Sequence, residues 1–226
     1  MTAAARGQRR GAGARPLPML LDAHARALAA CRRCVFDDPA VLPVVSASRE
    51  PLAMLVGQAP GKTEVVDRRP FAGRAGRTLF RWFADVGIAE DVARRRIYIA
   101  AVTRCFPGAS PSGRGDRLPS PAQVSNCAGW LEAEIELIRP AVIIPVGRLA
   151  IERFLGTAPL ADQVGRVHLL EHLPGRPIAI PLPHPSGASS WIHAPGHTEL
   201  VRASMRLVAA HVPSLVSESA RSRSVA

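Results

Sequence analysis

The sequence predicts an α/β protein, a three-layer α/β/α sandwich with a central four-stranded parallel sheet. Three observations lead there. Four apolar runs without helical spacing, at residues 52–56, 96–102, 141–147 and 177–183, have the length and the Pro or Gly borders of buried strands. Stretches with apolar residues three and four apart lie between and around them. Strands that alternate with helices close as a parallel sheet covered on both faces, with their connecting loops meeting at one edge.

Residues 1–16 carry Arg, Gly, Ala and Gln without a hydrophobic period and read as a disordered basic arm. Residues 17–34 (LPMLLDAHARALAACRRC) place Leu21, Ala25 and Leu28 at helical spacing, so a first helix delivers Cys31 and Cys34. Pro39 and Pro43 mark 37–50 as a crossing loop, and the first strand follows at 52–56. Residues 77–86 put Leu79, Trp82, Phe83 and Val86 on one helical face, which Gly87 stops. The second strand, 96–102, runs through Thr103 and Arg104 straight to Cys105. Residues 106–121 hold Pro, Gly, Ser and Arg without any period and read as a long surface loop. Ser120 followed by Pro121 opens a helix whose face carries Val124, Cys127, Leu131 and Ile138. The third strand, 141–147, contains Pro145, which removes a ladder donor and marks distortion near the strand end. A short helix at 148–155 ends at Gly156, a looser hairpin region spans 160–175, and the fourth strand at 177–183 leads into HPSGAS. A last amphipathic helix at 199–211 closes a single domain of residues 17–212, and 213–226 read as a disordered tail.

A formal net charge of +11 points to an anionic partner, for which nucleic acid is the commonest choice. Arg68, Arg69, Arg74, Arg77 and Arg81 crowd after the first strand, where tails do not explain them. No apolar run approaches the roughly 20 residues of a membrane span, and the basic amino terminus leads into no secretory apolar core. The expectation is a cytoplasmic monomer without a membrane partner.

The chemistry is expected after the first strand, in LAMLVGQAPGKTEVVDRRPFAGRAG at 52–76. Ligands of open α/β sheets sit beyond the carboxyl ends of strands; Gly57 and Gly61 let the backbone approach one, and Phe71 offers a plate for a flat heterocycle. The loop matches neither the dinucleotide fingerprint nor the P-loop. Four cysteines form the second signal. Cys31 and Cys34 make a CxxC, Cys105 ends a strand, and Cys127 lies on the next helix. In a reducing compartment such a set reads as a metal or cluster site, with Arg32 and Arg33 favouring thiolates, and spacing alone admits zinc or [4Fe-4S].

GQAPG at 57–61, RPFAGRAG at 69–76, IYIAAVTRC at 97–105, HPSGAS at 184–189 and the ordered cysteines together resemble the uracil-DNA glycosylase superfamily, closest to the iron-sulfur family 4 enzymes. The resemblance covers about residues 25–210. It implies a [4Fe-4S] cluster with a structural role on Cys31, Cys34, Cys105 and Cys127, and hydrolysis of the N-glycosidic bond of deoxyuridine flipped out of DNA, in base excision repair. By the same resemblance Gln58 and His184 are catalytic, and Gly57, Ala59, Phe71 and Ala101 hold the base. Arg74, Ser186, Gly187 and Ala188 are the expected contacts to DNA containing deaminated bases.

Two departures from the family pattern bear on the chemistry. Gln58 stands where the family has a glutamate, and an amide orients water without taking its proton. Ala101 stands where the family has an asparagine, which removes a donor and acceptor pair from the pyrimidine edge. Glu64 and Asp67 are nearby carboxylates that could serve the water instead. A binding protein that recognises damaged DNA without turnover, and a zinc-stabilised nucleotide-binding protein, remain the alternatives.

Overall fold

The computed structural model describes residues 15–36, 41–111, 115–186 and 190–225. Most of the expected amino-terminal arm and the site residues Gly187 and Ala188 lie outside these. In order, the elements are α1 (Leu17–Ala29), β1 (Ala53–Gly57), α2 (Lys62–Asp67), α3 (Arg74–Asp85), α4 (Glu90–Arg96), β2 (Ile97–Ala101), α5 (Pro121–Ile138), β3 (Val142–Pro145), α6 (Arg148–Leu155), α7 (Leu160–Gln163), β4 (His168–Leu169), β5 (Ile178–Ala179), a 3-10 turn (Ser190–His193), α8 (His197–His211) and α9 (Pro213–Val225).

The sheet order is β2-β1-β3-β5-β4. The first three neighbouring pairs are parallel, and β4 runs antiparallel to β5. The α/β class therefore holds, but the sheet has five strands, not the four expected. The extra strand comes from the hairpin region at 160–175; a two-residue pairing is too short to show an alternating pattern.

Side-chain alternation divides the core into two. Ala53, Leu55, Ile97, Ile99, Val142 and Ile144 face Leu79, Phe80 and Phe83 of α3, with α4, α8 and α9 on the same side. Met54, Val56, Tyr98, Ala100 and Ile143 face α1, α5 and α6 on the other. Successive β-strand residues point to opposite faces, so strands covered on both sides must be apolar throughout, as β1 is. This pattern makes the three layers.

The local signals act as their chemistry dictates. Ser120 Oγ accepts from the Gln123 amide at 3.2 Å, and Gln123 Oε1 accepts from the Ser120 amide at 2.8 Å, a reciprocal cap at the start of α5. At the other end of the chain the expected tail is instead helix α9. Leu215 and Ser219 are fully buried there, and Ser219 Oγ accepts from the Ala89 amide at 2.9 Å, capping α4 from another element. Sparse apolar residues in a Ser- and Arg-rich stretch left no period from which to read it. Three short helices, α2, α4 and α7, are further additions to the expected elements. No described helix is long and apolar enough to cross a membrane.

Candidate active site

The parallel register brings the carboxyl ends of the strands to one edge. Gly57 ends β1 opposite Ala101 of β2. The ladder continues past both ends, with Val102 N bonded to Gly57 O at 2.9 Å and Thr103 N to Gln58 O at 3.1 Å. Beyond β3, Val146 bridges to Leu182 two residues before His184. One cleft at this edge is lined by Gly57, Gln58, Ala59, Phe71, Ala101 and His184. The residues sequence reasoning assigned to catalysis and base contact thus surround a single space.

Phe71 is held there against its own backbone preference. Its φ is +50°, the left-handed region, which costs a non-glycine residue about 1–2 kcal/mol. Two features hold it. Arg94 of α4 donates from Nη1 to Pro70 O and from Nη2 to Phe71 O, both at 2.9 Å, while its guanidinium lies 4.1 Å from the Phe80 ring centre. Gly76 of α3 then admits the turn, since a Cβ there would stand 1.8 Å from Phe71 O. The ring comes to lie over Gly57, where a Cβ would meet its Cζ at 3.2 Å.

His184 packs against Gly147, whose φ of +87° and missing side chain leave room for the imidazole. The Ser186 amide donates to His184 Nδ1 at 3.3 Å, so in the neutral ring the proton sits on Nε2. Burial holds its pKa below the usual histidine value, with the Glu64 charge a smaller opposing influence. The result is a neutral imidazole with an Nε2–H donor.

The two loop carboxylates read as candidates for activating water separate. Asp67 is exposed at the end of α2 and does not line the cleft. Glu64 lines it, but Oε1 accepts from the Gly73 amide at 2.9 Å and Oε2 from the Gly61 amide at 3.1 Å, so its carboxylate pins both flanks of the loop. Asp116, from the long loop, lines the cleft as well. Nothing in the loop's composition singled it out. Arg94 was equally hidden, one of three successive arginines, of which the fold aims only one at the Phe71 turn.

Of the expected DNA contacts, Arg74 is exposed at the first position of α3, beside cleft-lining Ala75, and Arg68, Arg69, Arg77 and Arg81 are also exposed. Ser186 lines an adjoining groove that shares Gln58 and His184 with the cleft.

The four cysteines line a separate pocket with Arg32, Arg33 and Arg104. All are free thiols. Among the described residues no group of three or more His, Cys, Asp or Glu is arranged to hold a metal ion. The donor chemistry nevertheless suits an anionic sulfur-rich group. Arg104, which lines the same pocket, is 2% exposed, and its Nε and Nη1 are buried without a hydrogen-bond partner among the described residues. Burial, then repulsion from the other three cysteines, pushes the Cys105 thiol up to about 12, and burial raises Cys127 too, so without a cation these two sulfurs stay protonated. The other side of Arg104 pairs with Glu134, which also accepts from Tyr98 Oη at 2.8 Å and from His24 Nε2 at 3.2 Å. Burial raises the Glu134 pKa, but Arg104 and these two donors outweigh it and keep the carboxylate ionised.

Comparison with known proteins agrees with this geometry. The sequence profile of the uracil DNA glycosylase superfamily matches residues 46–204. The type-4 uracil-DNA glycosylase of Archaeoglobus fulgidus is 33% identical over 133 residues, 58% of this chain and 62% of that protein. Its Thermotoga maritima counterpart is 33% identical over 133 residues, 59% and 64% of the two chains. That of Sulfurisphaera tokodaii is 32% identical over 96 residues, 42% and 39%. The match thus spans less than two thirds of the length of these relatives. The profile runs from ahead of β1 into α8 and takes in every described residue that lines the cleft except Val44, and on that ground this chain belongs to the uracil-DNA glycosylase superfamily.

Proposed function

We propose that this protein is a DNA glycosylase that hydrolyses the N-glycosidic bond of uracil, or another deaminated base, flipped out of DNA in base excision repair. The observation that carries the reading is His184, whose Nδ1 accepts from the Ser186 amide and leaves Nε2 to donate, in the same cleft as the Phe71 ring and the backbone of 57–61. A base leaving from its sugar takes negative charge onto a carbonyl oxygen. A neutral donor already fixed in place stabilises that charge without giving up its proton, and backbone amides add to it. Phe71 supplies the stacking face, and Gln58, whose side chain has no hydrogen bond among the described residues, is free to meet base or water. The extruded base costs a few kcal/mol of unstacking, which the arginine-rich face beside the cleft helps to offset through phosphate contacts.

Cys31, Cys34, Cys105 and Cys127 would hold a [4Fe-4S] cluster, which when bound supplies a structural tether and no reaction chemistry. Arg104, which lines the thiol pocket and has two donors unpaired among the described residues, supports this over zinc, because the sulfides of such a cluster accept hydrogen bonds. Brown protein with broad visible absorption is the expected finding.

The deciding assay incubates the protein with oligonucleotides carrying uracil, hypoxanthine, xanthine or mismatched thymine, followed by alkaline scission. Cleavage at uracil is expected; no release from any of them ends the reading. Ala101 in the cleft, where an amide would read the pyrimidine edge, favours a second reading of binding with little turnover. Salt-sensitive binding to the same oligonucleotides without abasic product would identify it.

A further inference from the structure

We propose that Asp116 takes the proton from the attacking water, with the Gln58 amide orienting that water; this rests on the glycosylase reading above. The long loop doubles back to put it there. Ala109 pairs with Asp116 in an antiparallel bridge, with Ser110 N bonded to Gly115 O at 3.0 Å and Arg117 N to Gly108 O at 2.8 Å. Asp116 thereby faces the turn after β1: a Cβ on Gly61 would meet its Oδ2 at 2.8 Å, the same distance as Glu64 Oε2.

Three carboxylates compete for the role. Asp67 is exposed at the end of α2 and does not line the cleft, and Glu64 is committed to two backbone amides. The Asp116 carboxylate accepts no hydrogen bond among the described residues. It also has reach: Gln58, Ala59, Pro60, Asp116 and His184 all line both the base cleft and the adjoining groove, so a water between Gln58 and Asp116 shares its space with the donor at the base. Partial burial and the neighbouring Glu64 charge make Asp116 more basic than an ordinary aspartate, which suits a proton acceptor.

In the step, the water oxygen bonds to C1′ of the sugar as the C1′–N1 bond breaks. The bonding pair leaves with the base, whose oxygen is stabilised by His184 Nε2–H. The water proton passes to Asp116 and returns to solvent or to the released base. Gln58 thus keeps the orienting half of a task that a carboxylate at its position would perform whole, and Asp116 supplies the other half.

The test compares the unaltered chain, Asp116→Asn and Asp116→Glu in single-turnover release of uracil. Binding is measured with an oligonucleotide carrying a non-hydrolysable 2′-fluoro deoxyuridine. D116N is expected to slow release by about 100-fold or more while leaving affinity within about threefold. Its thermal midpoint should be equal or higher, since a carboxylate beside Glu64 is removed, and D116E should recover part of the rate. Release by D116N at the unaltered rate overturns the assignment alone, as does a loss explained by weaker binding or folding. No release by the unaltered chain removes the glycosylase reading and this proposal with it.

Discussion

Glu134 and Asp116 are carboxylates in opposite circumstances. Glu134 is fully buried between α5, α1 and β2, and Arg104, Tyr98 and His24 all donate to it. Asp116 sits at the mouth of the cleft with no donor at all among the described residues. Glu64 lies between these extremes, open to the cleft but with each oxygen held by a backbone amide. A carboxylate whose oxygens are satisfied by the fold serves the fold. One left unsatisfied beside a cleft is available to a substrate or a water.

The largest effect that tests this contrast is at Glu134. Glu134→Ala strands the Arg104 charge in the interior and should cost about 3–5 kcal/mol of stability, read by urea denaturation. A loss below 1 kcal/mol would mean that the network is ornamental. Next is His184→Ala, which removes one preorganised donor. Uracil release should fall about 10²–10³-fold with a much smaller change in stability, and unchanged release takes His184 out of the mechanism. Gly76→Ala comes third. A methyl cannot coexist with Phe71 O, so the turn must shift at a cost of about 1–3 kcal/mol, and weaker binding of the extruded base should accompany it.

The smallest effects are in pH. The His184 pKa is lowered in the fold by burial, so the stability held by its neutral form is complete above the ordinary value of 6.5 and is lost as pH falls through the lowered one. Protonation there would also turn Nδ1 into a donor facing the Ser186 amide. Release should therefore persist below pH 6.5 before it falls; a drop centred at or above that value would show that His184 is not buried as described. Glu134 follows the same sign, its share of stability present above its ordinary 4.5 and lost only at lower pH.

Much of this was legible beforehand because it depends on local chemistry. The apolar strands, the Ser120 cap and the placing of Gly57 and Phe71 beyond a strand end follow from composition and strand direction, while His184 came from the family resemblance. What escaped depends on distant contacts. Asp116 lies in a loop without period and acquires meaning only when the Ala109 bridge folds it over Gly61. Arg94 is indistinguishable from Arg95 in sequence, yet among the described residues the Arg95 side chain pairs with Asp91 alone, on the surface. Two-residue β4 and Ser-rich α9 carry too few apolar positions to announce themselves.

The cap that Ser219 places on α4 has a practical corollary. Family likeness ends at residue 204, so a fragment trimmed soon after it would look complete by homology and retain every cleft side chain. It would lack the acceptor for the Ala89 amide and the Glu218 partner of Arg96, loosening the very helix from which Arg94 grips the Phe71 turn. The terminal helix therefore behaves as a remote brace for the stacking plate, and shortened versions of this chain should be judged by base affinity as well as by solubility.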